Sequence, residues 1–103
     1  MLIIPLQPVP NQTLTVTLNN QVTQLNVYQT FEALFIDVLV ENTLIIGGVI
    51  AENLNRIVRS LYLGFSGDFV FYDNMGTDDP VYTGLGGRFS LVYLTPEELA
   101  GNG

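Results

Sequence analysis

Leu14, Val16 and Leu18 alternate with Thr13, Thr15 and Thr17 near the start of the chain. A period of two over six positions predicts a half-buried strand with its threonines in water. Asn19-Asn20 follows, and asparagine tolerates the left-handed backbone that a two-residue hairpin turn requires. The return strand, about Val22 to Tyr28, carries Leu25 and Val27 on one face. Gln29 to Glu32 breaks the pattern, and Ala33 to Val40 is then apolar apart from Asp37. That run is rich in β-branched residues and too short for a convincing helix, so it predicts a core strand. Glu41-Asn42 is its turn, Thr43 to Ile46 its partner, and Gly47-Gly48 closes the pair.

The densest apolar stretch is Ser60 to Asp73, with five aromatics in fourteen positions. Phe69 to Tyr72 is apolar on both faces and predicts a central strand covered on both sides. Gly64 and Gly67 mark the bend that feeds it, since glycine takes positive φ or close backbone approach without penalty. Between Val49 and Leu61 the pattern is irregular. Leu54, Ile57, Val58 and Leu61 fall at helical spacing with Arg56 and Arg59 on the other face, which suggests one or two helical turns or a corner. Asp73 to Gly87 reads as a long loop, and Arg88 to Leu94 as the last strand with Phe89, Leu91 and Tyr93 on one face. Thr95-Pro96-Glu97-Glu98 opens like a helix, with threonine as cap and proline in the first turn.

Together these elements predict an all-β domain: one antiparallel barrel or sandwich of about six strands with a short helical turn. Its expected core holds Leu14, Val16, Ile36, Val38, Phe69, Phe71, Leu91 and Tyr93. With no linker and no repeat, residues 1–103 form one expected domain, with a Pro-rich extended arm at 1–10 and a short tail at 95–103. Prolines 5, 8 and 10 cannot donate to a ladder, so the arm is an extended or edge segment. Its apolar Leu2, Ile3, Ile4 and Leu6 need cover, either from this domain's own core or from a neighbouring subunit. The docked alternative uses Ile3, Ile4 and Leu6 as apolar anchors on a prolonged, pre-extended segment. Arg56 and Arg59 join them as expected interface residues.

Composition narrows the chemistry. The 103 residues contain neither Cys nor His, which removes disulfides, thiolate and imidazole metal sites and the usual neutral-pH general base. Ten acids face three arginines and no lysine, for a net charge of −7. Three arginines do not make the basic stripe that nucleic acid requires, and specific nucleic-acid binding is not expected. The acidic surface suits solubility, or a wall past which DNA slides without sticking. No apolar run reaches about 18 residues and no basic segment precedes one at the N-terminus, so neither a membrane span nor a signal peptide is expected.

Three stretches invite a chemical reading. Asp73-Asn74-Met75-Gly76-Thr77-Asp78-Asp79 begins like a calcium loop, but Met75 stands where the second oxygen ligand belongs, which favours a solvated turn over a weak cation site. Gly84-Leu85-Gly86-Gly87 precedes a strand, whereas phosphate-cradling glycines precede a helix. Asp37 sits within an apolar strand. Pointing inward it needs an arginine partner (Arg56, Arg59 or Arg88), and pointing outward it is a solvated strand residue. No second acid or base is spaced to make it catalytic. Tyr28, Tyr62 and Tyr82 could form an aromatic face for a glycan or peptide, giving a stand-alone ligand-binding β-domain as the alternative reading. No catalytic residue, cofactor or metal is expected.

Three segments in order resemble the phage baseplate plug proteins. Ile4-Pro5-Leu6, Pro8 and Pro10-Asn11-Gln12-Thr13-Leu14, with Val16 and Leu18, are similar to that family's opening. Tyr62-Leu63-Gly64-Phe65-Ser66-Gly67-Asp68-Phe69 resembles its middle motif. Asp79-Pro80, Tyr82, Leu85-Gly86, Arg88, Leu91 and Tyr93 resemble its final loop and strand. The family often carries a tryptophan in the third strand, where this chain has Phe31 to Phe35. The resemblance implies a small all-β structural subunit of a contractile tail baseplate, without enzyme activity. It implies a location in the virion, with assembly in the host cytoplasm. The implied partners are copies of itself around the tail axis and the baseplate hub, tail tube and tape-measure proteins.

Overall fold

In the computed structural model, which describes residues 2–59 and 65–101, the threonine-alternating stretch becomes the edge of a four-stranded meander. Its strands are β2 (Asn11–Leu18), β3 (Gln21–Gln29), β4 (Leu34–Val40) and β5 (Thr43–Ile50), following an edge strand β1 (Leu2–Ile4) that belongs elsewhere. Each neighbour pairs antiparallel with the next. Asn19 and Asn20 take φ values of 50° and 65°, and Glu41 and Asn42 take 50° and 66°. Both hairpins thus use left-handed two-residue turns, whose twist matches that of the strands they join.

The pairing Leu14 to Leu25, Leu25 to Val38 and Val27 to Ile36 puts one apolar face inward. Gly47-Gly48 does not close β5 as the sequence suggests. The strand runs on to Ile50, and its register shifts against β4 near Val38. Gly48, at φ +64°, adopts a backbone conformation that costs a glycine little, so the strand passes through the irregularity instead of ending.

The second sheet is three-stranded, in the order β1, β7 (Phe89–Leu94), β6 (Asp68–Asp73), and is also antiparallel. The two sheets remain open and stack as a sandwich, so the barrel alternative is set aside; the described residues hold seven strands where about six are expected. Phe69 and Phe71 are fully buried between the sheets with Leu25, Ile36, Val38 and Leu91. Phe65, Phe69 and Tyr93 form a ring cluster with centroids 5.2–5.9 Å apart. All eight expected core residues contribute, Leu14 and Val16 from half-buried positions.

The strand predicted as central is instead an edge strand, and β7 holds the centre. Only one face of β6 is covered. Phe69 and Phe71 point in, whereas Tyr72 is exposed and Val70 half-buried. Its apolar outer face imitates double burial in the sequence.

Residues 51–59 form a corner with no helical turn. The N–H groups of Leu54 and Ile57 donate to the carbonyls of Phe71 and Phe69, at 2.8 and 3.0 Å, so the segment runs along the free edge of β6. Leu54 and Arg59 take positive φ, which no helix permits. The residues Gly64, Leu61 and Tyr62 lie outside the described residues. Gly67 has φ +103°, and a Cβ there would stand 2.5 Å from the Leu94 carbonyl oxygen, so the bend needs glycine as the sequence suggests.

The last element is α1 (Pro96–Gly101). Glu98 N–H donates to Thr95 Oγ1 at 3.2 Å, and Thr95 N–H donates to Glu98 Oε1 at 2.9 Å, a reciprocal capping box.

Candidate functional site

Both ends of β6 are buried aspartates. Asp68 accepts hydrogen bonds from the backbone N–H groups of Ile57 (3.2 Å), Val58 (2.7 Å), Arg59 (2.8 Å) and Phe69 (2.7 Å). These bonds explain why the helical spacing around Ile57 does not produce a helix: a carboxylate takes the N–H groups a helix would direct to carbonyls. Arg56 Nε lies 3.5 Å from Asp68 Oδ2, and Arg59 Nε donates to the Arg56 carbonyl at 2.6 Å. The structure thus brings the two arginines together around Asp68, with both residues exposed.

Asp73, at the other end, receives Arg88 Nε and Nη2 at 2.9 and 2.8 Å and the N–H groups of Met75 and Asp78. Arg88 also pairs with Asp78 at 2.9 Å. The loop that begins like a calcium site therefore has an arginine where a cation would sit. The Arg88 hydrogen bonds hold the Asp73 carboxyl well below the usual carboxylate range, helped by the two backbone N–H groups.

Asp37 points outward, which removes the inward arginine pairing. It is more than a solvated residue: Gly48 N–H donates to Oδ1 at 2.7 Å, Tyr28 hydroxyl at 3.2 Å, and Asn26 Nδ2 to Oδ2 at 3.3 Å. The carboxylate fastens the glycine pair of β5 to the outer face of the sheet. Burial, and then Asp37 itself, push the Tyr28 hydroxyl pKa up. Tyr28 stacks on Phe35 at 5.9 Å, whereas Tyr82, in the 3-10 turn Tyr82–Gly84, packs against the core. These two do not share a flat aromatic face, and Tyr62 lies outside the described residues.

Within this chain the arm folds back on its own domain. Leu2, Ile3 and Ile4 of β1 pair with Tyr93, Val92 and Leu91 of β7. Ile4 and Leu6 are buried in the chain's core, while Ile3 is 61% exposed. Of the three expected anchors, Ile3 alone presents its side chain to solvent. The glycine loop explains the seating of Leu6: Gly86 has φ +80°, and a Cβ there would collide with the Leu6 carbonyl oxygen. The glycines thus serve close approach of two backbones and leave phosphate chemistry without support.

Ile3 belongs to a second apolar surface that the sequence reading missed. Ile3, Val92 and Val70 are direct cross-strand neighbours over all three strands of the smaller sheet. They face away from the core, with Tyr72 on the same side and Leu54 at the β6 edge. Val92 is buried yet stands outside the core cluster, which marks a separate apolar surface. These side chains line a shallow hollow of about 310 Å³ with Asn74 and Ser90. The period-two pattern of β6 and β7 carries the signal, once both faces are recognised as apolar and only one as covered.

No group of three or more acids among the described residues is arranged to hold a metal, and no helix there is long and apolar enough to cross a membrane.

A profile of the family described as "Cyanophage baseplate Pam3 plug gp18" matches residues 1–97. No curated protein matches the chain.

Proposed function

The chain belongs to the cyanophage baseplate plug family, and from that premise we propose that it acts as a plug-like structural subunit near the axis of a contractile tail. In this reading residues 1–103 work as one β-domain, as a homo-oligomer around the tail axis, in contact with hub, tube and tape-measure proteins. It is a virion component that assembles in the host cytoplasm. The family match over nearly the whole chain is the observation that carries this reading.

The chemistry agrees with a structural role. The two buried carboxylates, Asp68 and Asp73, are engaged by backbone N–H groups and Arg88. Both acids are committed to holding loops in place. A net charge of −7 beside a DNA exit path repels phosphate and leaves it mobile.

The test is fractionation of phage particles with an antibody against this chain. It is expected to co-sediment with isolated tails at fixed stoichiometry and to lie at the baseplate end by labelled electron microscopy. A chain abundant in the lysate and absent from purified tails would end this reading.

A further inference from the structure

We propose that the apolar strip on the outer face of the smaller sheet (Ile3, Leu54, Val70, Tyr72 and Val92) receives an extended, apolar segment of a different protein, with basic residues at one end. This deepens the baseplate reading, and rests on it for the existence of a partner.

Ile3, Leu54 and Tyr72 are 61%, 57% and 46% exposed around a nearly closed Val92. Their combined free surface is on the order of 300 Å². A stable dimer needs about 800 Å² from each copy, so the strip is too small to hold two copies together. The row of Ile3, Val92 and Val70 crosses the three strands of the smaller sheet, a narrow run that one extended segment can follow.

The charges around the strip set the chemistry of that segment. Residues 52–56 run along the edge of β6, with bridges from Asn53 to Phe71 and from Arg56 to Val70. Glu52 stands two residues before Leu54, and Asp79 Oδ1 accepts the N–H of Asn53 at 3.0 Å. Among the described residues neither Glu52 nor Asp79 has an arginine within ion-pair distance, in contrast to Asp68, Asp73 and Asp78. Arg56 marks the other side of Leu54 and is already paired with Asp68. Glu52, which accepts from Asn55 Nδ2 at 2.9 Å, and Asp79, which accepts from the Asn53 N–H, thus set negative charge beside Leu54 at the β6 edge of the strip, and no described arginine is its counterpart. A lysine or arginine at the matching end of the guest supplies it, and the pairing gives direction and on-rate more than raw affinity.

The experiment is a titration of the isotope-labelled full chain, followed by NMR, with two synthetic peptides of alternating valine and threonine. One ends in a pair of lysines and the other in a pair of glutamates. The lysine peptide is expected to shift resonances of the strip and to bind about tenfold tighter than the glutamate peptide. The difference should shrink as salt rises. Leu54→Ser and Ile3→Ser should each weaken binding at least about fivefold while leaving resonances outside the strip in place. Equal binding of both peptides, shifts centred elsewhere, or no shift at millimolar peptide overturns the proposal. Self-association of the chain that Leu54→Ser abolishes overturns it too, by giving the strip to a second copy. The peptides report on the strip alone: an inert strip leaves the baseplate role standing, and a chain absent from tails leaves the peptide result standing.

Discussion

At the residue scale, the decisive side chains are two aspartates that hold loops. Asp68 is 2% exposed and accepts four backbone hydrogen bonds, so removing it leaves buried N–H groups without partners. Asp68→Ala is expected to cost about 2–4 kcal/mol in urea denaturation. A loss under about 1 kcal/mol would show that the corner at 57–59 stands without the carboxylate. Asp73 makes a pH-dependent contribution. Its carboxyl is held below the value it has in the unfolded chain, so its stabilisation is complete above about pH 4 and falls away as the medium becomes more acid. Wild type should therefore lose more melting temperature between pH 5 and pH 3 than Asp73→Asn does. Parallel pH curves for the two proteins would place the acid sensitivity elsewhere. Neither role is legible in the sequence, where Asp68 and Asp73 merely bound an aromatic strand; their partners lie on segments whose course only tertiary structure sets.

At the element scale, local chemistry was enough wherever two neighbouring strands meet through a turn. The Asn19-Asn20 and Glu41-Asn42 turns, the threonine face of β2 and the Thr95 cap all follow from their own residues. The rest depended on distant partners. An apolar β6 reads the same whether its outer face is packed or open, and Gly47-Gly48 reads the same as a stop or as an irregularity. The arm's prolines make it extended without saying what it lies on, so its pairing with β7 is not legible in its own residues. With Ile4 and Leu6 in the core, a chain starting at Asn11 is expected to lose on the order of 4–6 kcal/mol of stability. An unchanged melting temperature would mean that the arm contributes nothing to its own domain. Ile3→Ser, by contrast, should change folding by less than about 1 kcal/mol, because that side chain already faces water.

At the scale of the whole molecule, one core joins the two sheets, and Phe71 is completely buried within it. Phe71→Ala is expected to cost about 3–5 kcal/mol, measured by chemical denaturation. A cost below about 1 kcal/mol would mean that the sheets do not meet there. The two sheets also differ in how they are threaded. The meander of β2 to β5 joins strands that are consecutive in the chain, so each pairing closes a short loop. The smaller sheet pairs β1 with β7, and Leu2 finds Tyr93 only after the roughly 90 residues between them have been made. Short-range contacts close fast and long-range ones late. During synthesis the meander can therefore form while β7 is still inside the ribosome, and Ile3 and Val92 become neighbours only once β7 has emerged. A copy in which β1 or β7 is missing or not yet made has no strip to show a partner, so recruitment through that surface would select for a closed smaller sheet.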